Sequence, residues 1–547
     1  MQQATQLTLF GKKIPKTISI KDSALDIGVS SATVRNLIKT GYLVTSEKGA
    51  ITIDSLKEFK KEIAGKEKLN KRANKSLKDS HDHKKIVSTY LKKIAEYTNG
   101  YDVLGDEYQA ALSDSYRNKE GIYYTPKSIV NDLFNEIILE KNNLTFCDPC
   151  CGSGNFIIRA LSLGFKPENI YGFDTDPIAV ELTKVRILDE SGYISNNIIL
   201  ADFLELQKEP HLRKFDYIFT NPPWGKKIEK NEREVIGSFF NAGTSIDTCS
   251  LFLFACLESL TDNGRLGLLL PEAFYNIASY KNARKRILKY EIEKLIDFEK
   301  PFRGLMTRAQ AIIATKKMNN VDNIVTCQNK KQSSQRKMSS FAKNPKSILN
   351  LYCSSEDANT IEYICSIQHI TLKDNAKWGL GIVTGNNAKF IKENPGDGLI
   401  PVFKGSDIVD NELNTPSCYI PSDLSLYQQV SPIDIYKARE KIIYQFISSR
   451  LRFFYDTSQR FILNSANILI PNKMFPVKMK ILCGLFNSDV MNWIFAKIFN
   501  THKILRSDLE YLPIHAQFLQ EDKFIESEFL KKLGVERSSD GTFRIKR

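Results

Sequence analysis

The sequence predicts an α/β fold, in which a doubly wound sheet lies between a small N-terminal helical unit and a C-terminal α+β domain. Two observations predict the sheet. Short apolar runs of strand type recur between residues 145 and 315, and the first is followed by a glycine turn and a helical pattern. Four consecutive runs end in a polar side chain, namely Asp148, Asp174, Asp202 and Asn221. Because open α/β sheets bind ligands at the carboxyl ends of their strands, this order predicts a ligand site.

Length and composition describe an ordinary globular chain. At 547 residues it is long enough for three or four domains with separate cores. No apolar run approaches the ~20 residues that cross a bilayer, so no membrane segment is expected. The start lacks the layout of a secretory signal and the ten cysteines have no framework spacing, which predicts a reducing, cytoplasmic compartment. The net charge of +14 suits a polyanionic partner such as DNA, although many basic proteins have none.

Residues 1–56 are predicted to form a winged helix-turn-helix unit. Two short helical patterns within 22–43 are joined by a turn at Gly28, and a wing follows at 50–53. The unit resembles MerR- or excisionase-like modules. Two functions are considered for it, namely contact with DNA and contact with another protein. The Lys-rich segment 57–100 is predicted to be a basic helical linker, with an arm along the phosphate backbone as the second interpretation.

The glycine turn after the first strand indicates a nucleotide-like ligand. Gly152 and Gly154 let the backbone pass close to a ligand without a Cβ in the way. Asp174 follows about 20 residues later, the spacing at which an acid accepts hydrogen bonds from ribose hydroxyls. Asp148 beside the turn would repel a pyrophosphate. The pattern therefore fits S-adenosylmethionine better than a dinucleotide.

Two further positions extend this cofactor site. Asp202 ends the third strand, 197–203, and can accept from the exocyclic amine of an adenine, while Phe203 packs on its ring. Thr125 is predicted to be the N-cap of a helix whose first residue is Pro126.

The fourth strand stops at Asn221-Pro222-Pro223-Trp224. The two prolines have a fixed φ and no N–H, so they end the strand in a rigid, extended segment. The Asn221 amide oxygen and the Pro222 carbonyl can both accept from an amino group, and Trp224 can stack on the ring that carries it. The alternative interpretation is a strand followed by a structural proline turn.

In this context the tetrapeptide resembles the catalytic motif of the methyltransferases that modify amino groups, above all the γ class of DNA adenine-N6 methyltransferases of type II, or fused type IIG-like, restriction-modification systems. The resemblance implies a seven-stranded Rossmann-like methyltransferase sheet within 101–328, S-adenosylmethionine as cofactor, and Thr125 near its methionine end. It also implies that Asn221 and Pro222 bind the target amine and that Trp224 stacks on an extruded base. Tyr or Phe is commoner than Trp at this last position.

The rest of the chain follows the same layout. Three more strands are predicted at 265–271, 293–298 and 310–315, which makes seven. Phe302 lies where the family commonly has an aromatic on the other face of the base, and a core or loop aromatic is the alternative. Residues 329–345 are predicted to be a linker and 346–547 a target-recognition domain.

The expected function is methylation of adenine N6 in a defined double-stranded DNA sequence by base flipping, which protects DNA from a separate cognate restriction endonuclease. The expected molecule is a monomer or weak dimer without a metal. N4-cytosine methylation and a cofactor-sensing DNA-binding regulator are the alternatives. C5-cytosine chemistry needs a Pro-Cys nucleophile after the fourth strand. The only Pro-Cys of this catalytic domain, Pro149-Cys150, lies in the glycine turn instead, so C5-cytosine chemistry is excluded. Enzymes that methylate glutamine in proteins share the motif, but they lack a long C-terminal recognition domain. The first hundred residues contain no Asp…Glu-x-Lys nuclease motif, so DNA cleavage would need a separate partner protein.

Overall fold

The computed structural model describes residues 17–27, 31, 34, 38, 43, 45–46, 50–62, 76–96, 101–112, 117, 120–135, 137, 139, 143–207, 213–226, 228–302, 307–320, 322–409 and 412–546. The chain divides into two compact units. The first comprises Met1–Leu206 with Pro223–Lys227, and the second comprises Gln207–Pro222 with Ile228–Arg547. The chain therefore passes from the second unit to the first inside the tetrapeptide.

The first unit begins with a small core of its own. Strand β1 (Thr17–Ile18) pairs antiparallel with β2 (Ile51–Thr52), and helices α1 (Ile20–Asp26) and α2 (Ile53–Glu62) flank the pair. The buried side chains of this core are Ala24, Ile27, Val34, Leu43, Ile51, Leu56 and Phe59. Most of the predicted second helix of the helix-turn-helix lies outside the described residues, so that motif stays a prediction.

Helices α3 (Ser76–Glu96) and α4 (Tyr101–Ala111) follow. Tyr90 and Ile94 of α3 are buried in one cluster with Ile178 and Leu182 of the later helix α7 (Pro177–Ser191). The second half of the predicted basic linker is thus packed against the body of this unit.

The sheet of the first unit consists of three parallel strands in the order β3 (Phe146–Asp148), β4 (Ile170–Asp174) and β5 (Ile198–Leu200). Its other helices are α5 (Lys127–Phe134), α6 (Asn155–Ser162) and α8 (Phe203–Leu206). Every residue of β3 is buried, as its continuous apolar run predicts. The third predicted strand is shorter than expected, because Phe203 already begins α8.

The sheet of the second unit has six strands: β6 (Phe215–Thr220), β7 (Leu260–Pro271), β8 (Tyr290–Asp297), β9 (Ala309–Met318), β10 (Ile324–Asn329) and β11 (Ser333–Lys337). Their order is β11-β10-β8-β9-β7-β6. Strand β9 runs antiparallel between β7 and β8, whereas β6 is parallel to β7 and β10 to β8. Helices α9 (Lys230–Phe239), α10 (Thr248–Ser259), α11 (Ala273–Asn276) and α12 (Lys281–Ile287) connect them.

The structure differs from two of the expectations. The sequence predicts seven strands, but three strands of the first unit and six of the second are described. The predicted linker 329–345 contains β11 and helix α13 (Ser339–Ala342). Arg336 of β11 is 2% exposed and donates to the carbonyls of Asn350 and Cys353. An edge strand tolerates the polar composition of a loop, and these long-range contacts cannot be read from composition.

The C-terminal region of the second unit contains the helices α14 (Ser355–Ser366), α15 (Asn387–Phe390), α16 (Ile433–Tyr436), α17 (Met479–Asn487), α18 (Asp489–Phe499), α19 (Arg506–Leu509) and α20 (Glu526–Leu533). Its strands are β12 (Ala376–Leu380), β13 (Leu399–Phe403), β14 (Ile408–Val409), β15 (Glu412–Leu413), β16 (Cys418–Pro421), β17 (Lys441–Gln445), β18 (Phe453–Asp456), β19 (Phe461–Ile462), β20 (Ala466–Pro471), β21 (Val535–Arg537) and β22 (Phe543–Ile545).

These strands form a four-stranded sheet, β12-β20-β17-β18, a three-stranded sheet, β16-β13-β19, and the pairs β14-β15 and β21-β22. Strand β17 separates two cores. Ile442 and Tyr444 pack with α17 and α18, whereas Ile443 packs with β13 and β16. This alternation of faces is the period of two that strands impose on their side chains. The fold is therefore mixed α/β with a C-terminal α+β region, as predicted. In the described part of the chain, no helix is both long and apolar enough to cross a bilayer.

Candidate cofactor and catalytic site

The glycine turn follows β3 as predicted. Asp148 at the end of that strand is fully buried, and its Oδ1 accepts from the backbone N–H of Cys150 at 3.1 Å. Gly152 has φ +50, and a Cβ there would lie 2.9 Å from the ring of Tyr124. Gly154 is the N-cap of α6. The backbone of the turn is thus in direct contact with an aromatic ring, and no larger residue fits at Gly152.

Asp174, at the end of β4, is held by two backbone groups. Its Oδ2 accepts from the N–H of Gly152 and its Oδ1 from that of Asp176, both at 2.9 Å. Burial raises the pKa of this carboxyl to about 6, although the Asp176 N–H acts in the opposite direction. A carboxylate oxygen has two lone pairs, so each oxygen can still accept from a ligand hydroxyl.

Asp176 and Tyr108 lie beside Asp174 in the structure, and the sequence prediction did not include them. Asp176 caps α7, since its Oδ1 accepts from Ile178 N–H at 2.9 Å. Its Oδ2 accepts from the Tyr108 hydroxyl at 2.7 Å, which ties α4 to the end of β4. The sequence signal for the cap was present, because an Asp directly before Pro177 is typical of a helix start.

The segment 121–125 contacts the turn through two residues. The ring of Tyr124 lies on Gly152, and its backbone N–H donates to Gln109 Oε1 at 2.6 Å. Thr125 is 5% exposed, and its carbonyl accepts from Asn155 Nδ2 at 2.8 Å.

The prediction that Thr125 caps the helix is wrong. Helix α5 begins at Lys127, and Pro126 with ψ 142° is its N-cap, without a side-chain cap. The extended ψ of Pro126 moves the helix start one residue further along the chain.

Asp202 and Phe203 follow β5. The Asp202 Oδ1 accepts from Leu204 N–H at 2.9 Å and so caps α8. Phe203 is 1% exposed, and its ring centroid lies 5.3 Å from that of Phe173 in β4. The ring of Phe203 is therefore part of the core between β4 and α8.

The tetrapeptide ends β6 as predicted. Asn221 and Trp224 are half-buried and Pro222 is buried. Within the first unit, the backbone of Gly121 lies against the last two residues of the motif, where a Cβ would be 2.8 Å from Trp224 N and 2.9 Å from Pro223 Cβ. Segment 121–125 thus contacts the second half of the tetrapeptide at one end and the glycine turn near the other. The sequence prediction missed Gly121, since only the fold brings it to Trp224.

Phe302 lies in the loop after β8 and is 6% exposed. Asp297, the last residue of β8, holds both ends of this loop. Its Oδ1 accepts from Glu299 N–H at 3.0 Å, and its carboxylate pairs with the guanidinium of Arg308. The Tyr352 hydroxyl also donates to Asp297 at 2.5 Å. Sequence reasoning missed this cluster, whose members are up to 55 residues apart.

Comparison with protein families gives two matches. A family model described as N-6 DNA Methylase matches residues 99–378. A model described as TaqI-like C-terminal specificity domain matches residues 400–514.

Similar proteins agree with these matches. The type II methyltransferase M.VspI of Vibrio sp. (strain 343) is 46% identical over 406 residues, which cover 74% of this chain and 98% of that protein. The type II methyltransferase M.CvrRI of Paramecium bursaria Chlorella virus XZ-6E is 31% identical over 178 residues, which cover 32% of this chain and 42% of that protein. Among solved structures, the type IIL restriction-modification enzyme MmeI in complex with DNA is similar with a TM-score of 0.51 and 13% identity, covering 78% of this chain and 71% of that chain. This last likeness concerns the fold alone.

Proposed function

We propose that this chain, which belongs to the N-6 DNA methylase family, methylates adenine N6 in a specific double-stranded DNA sequence. The methylation protects that sequence from a cognate restriction endonuclease. The observation that carries the proposal is the tetrapeptide Asn221-Pro222-Pro223-Trp224 at the end of β6, with Gly121 packed against its second half. The similarity to M.VspI over 98% of that type II methyltransferase supports the same class of enzyme.

The residues after β3, β4 and β5 fit S-adenosylmethionine. These strands are adjacent and parallel, and Asp148, Asp174 and Asp202 stand at or just after their carboxyl ends. Carboxylates accept from an ammonium group, from ribose hydroxyls and from an adenine amine, which are the donors of this cofactor. The positive φ of Gly152 bends the backbone of the turn directly after Asp148, at the carboxyl end of β3. When bound, the cofactor supplies an electrophilic methyl group on sulfur.

The chain's own residues prepare the target amine. The Asn221 amide oxygen and the Pro222 carbonyl accept its two N–H bonds, and this leaves the nitrogen lone pair directed away from them. Because the amine is held in the reactive geometry before the reaction, the entropic part of the activation barrier is lowered. No general base acts before methyl transfer, and the proton leaves afterwards. A base inside a duplex cannot reach these acceptors, so the adenine is flipped out and stacks on Trp224. Phe302 is proposed to contact its other face.

The test is Asn221→Ala, with Asn231→Ala on the exposed surface of α9 as the matched control. We expect Asn221→Ala to lose methyl transfer to DNA and to keep its affinity for S-adenosylmethionine, while Asn231→Ala keeps both. Turnover of Asn221→Ala within tenfold of the unmodified protein would show that the amide does not hold the target amine.

The base is tested by sequencing modified bases in DNA from cells that express the protein. N6-methyladenine within one recurring sequence is the expected result. N4-methylcytosine would assign the enzyme to the cytosine-amino class instead, and unmodified DNA would support a regulator without turnover.

A further inference from the structure

The turn between β18 and β19, residues 456–460, is built around a buried charge. Asp456 is fully buried and accepts from Lys441 Nζ at 2.5 Å and from Arg460 Nη1 at 2.6 Å. It also accepts from the backbone N–H groups of Ser458 at 3.0 Å and Arg460 at 2.9 Å. One carboxylate therefore fixes the backbone of the whole turn.

The charges of this cluster leave one positive charge near the surface. Lys441 is fully buried and donates to the Tyr436 carbonyl at 2.7 Å as well as to Asp456. Arg460 is 32% exposed, and its guanidinium lies 5.8 Å and 5.5 Å from the rings of Phe403 and Phe454. With one carboxylate and two cations, the cluster has a net charge of +1. A guanidinium held by a carboxylate and two rings can present only its free edge to a partner.

The side chains that this turn presents to solvent are polar. Thr457, Ser458 and Gln459 are exposed. Gln459 has φ +55, which is unfavourable for a residue other than glycine and persists only where the surroundings impose it. The turn thus holds the backbone of an exposed glutamine in one conformation, next to a cation that is fixed by Asp456.

We propose that the 456–460 turn is a recognition element for DNA, in which Gln459 reads a base edge and Arg460 contacts the phosphate backbone beside it. A glutamine amide both donates and accepts, which matches the N6 and N7 groups of adenine in the major groove. Phosphate contacts position a protein on DNA without reading sequence, and a fixed arginine suits that part. The turn lies within 400–514, the segment that matches a specificity domain. This inference rests on the proposed function, because it names the residues that choose the methylated sequence.

The experiment uses the full chain with Gln459→Gly and Gln459→Ala, and with the exposed Gln520→Ala as the matched control. Glycine accepts a positive φ without strain, so Gln459→Gly keeps or raises the unfolding temperature while it removes the amide. We expect both Gln459 variants to lose about tenfold to a hundredfold of discrimination at one base pair of the methylated sequence. Methylation rates on duplexes that differ at single positions measure this, and Gln520→Ala should match the unmodified protein.

Arg460→Met tests the second part, since methionine keeps an apolar stem near the two rings and removes the charge. We expect weaker binding to every duplex and a slope of log affinity against log salt that is smaller by about one.

Three outcomes would overturn the inference. Unchanged discrimination at every position in a stable Gln459→Gly protein would show that the glutamine reads no base. An equal loss of activity on all duplexes in the Gln459 variants would show that Gln459 is a general DNA contact, and an unchanged salt slope in Arg460→Met would show that Arg460 contacts no phosphate. None of these outcomes affects the proposed function, which fails only if the unmodified protein leaves adenine unmethylated.

Discussion

The Asp174 carboxylate accepts from two backbone N–H groups and is also the proposed acceptor for the ribose of the cofactor. Its oxygens already accept from Gly152 and Asp176, and the proposed cofactor adds ribose hydroxyls. A burial-raised pKa of about 6 means that the folded, cofactor-free protein binds a proton at Asp174 more tightly than the unfolded chain does. The contribution of this group to folding is therefore least favourable above pH 6 and improves as pH falls through 6 toward the ordinary pKa of Asp.

This pKa predicts a pH dependence of cofactor affinity. Ribose hydroxyls need the ionised carboxylate, so affinity for S-adenosylmethionine should fall about tenfold per pH unit below pH 6 and be flat above it. Calorimetric titration between pH 5 and 8 measures this. Asp174→Ala should bind more weakly by about 1–3 kcal/mol at pH 7.5 and lose the pH dependence. Full affinity in Asp174→Ala would show that the carboxylate does not contact the cofactor.

At the scale of elements, Arg284 of α12 joins three segments of the second unit. It is fully buried and donates to the carbonyls of Phe274 and Ile277, at 2.5 and 2.8 Å, in and just after α11. It also donates to the carbonyls of Lys346 and Ser347, at 3.0 and 3.1 Å. These last two residues both have positive φ. A guanidinium with its donors in a fixed fork can hold several carbonyls at once.

Removing this guanidinium should destabilise the second unit. Arg284→Met removes this donor from the buried carbonyls of Phe274, Lys346 and Ser347, at a cost of at least about 3 kcal/mol in the free energy of unfolding. Chemical denaturation measures it, with Lys285→Met on the exposed side of the same helix as the control. Lys285→Met should stay within about 0.5 kcal/mol of the unmodified protein. A stable Arg284→Met protein would mean that water or a local shift satisfies these carbonyls.

At the scale of the whole molecule, the predicted boundary at residue 346 lies inside the second compact unit. Arg336 donates to the carbonyls of Asn350 and Cys353, and Asn276 donates to the carbonyl of Phe499. The acceptors of these hydrogen bonds are backbone carbonyls, which are present whatever residue type stands at the position. The Lys346–Asp508 pair, at 2.5 Å, lies entirely on the C-terminal side of the boundary. Side-chain contacts also cross the boundary, such as the Tyr352 hydroxyl on Asp297 and Arg336 on Asn350 Oδ1, so an exchange of residues 346–547 has to keep Tyr352 and Asn350.

We expect that replacing residues 346–547 by the corresponding region of a related enzyme transfers the methylated sequence of the donor. A pocket that holds one flipped base cannot read its neighbours, so readout must come from side chains in a groove. Sequencing of modified bases identifies the methylated sequence. A folded chimaera that keeps the original sequence would assign the readout to the first 345 residues.

The N-terminal segment gives a second prediction at this scale. The core of Ala24, Leu56 and Phe59 is its own cluster, whereas α3, which starts at Ser76, packs with α7. Deletion of residues 1–75 should therefore leave the rest folded and the methylated sequence unchanged. If the segment is a general hold on phosphates, the salt dependence of DNA binding becomes shallower. A different or shorter methylated sequence would assign this segment to base readout.

The order of the candidate site residues, and most of the strands that carry them, can be predicted from local sequence patterns. Strands at 146–148, 170–174 and 215–220 are apolar runs that end at Asp148, Asp174 and just before Asn221. Prolines and glycines mark the ends of such runs through their own backbone restrictions. These signals are local, because each of them is found within a few consecutive residues of the chain.

The contacts between distant residues of the candidate site and of the fold depend on tertiary packing. Gly121 against Trp224, Asp297 with Arg308 and Tyr352, and Tyr108 on Asp176 are contacts of this kind. Strand β11 and the network of Arg284 belong with them. A hydrogen bond between residues tens of positions apart depends on how strands and helices pack, and the residue types at its two ends are equally common on exposed surfaces. Local periodicity contains no signal for such pairs, so their partners follow from the packed fold alone.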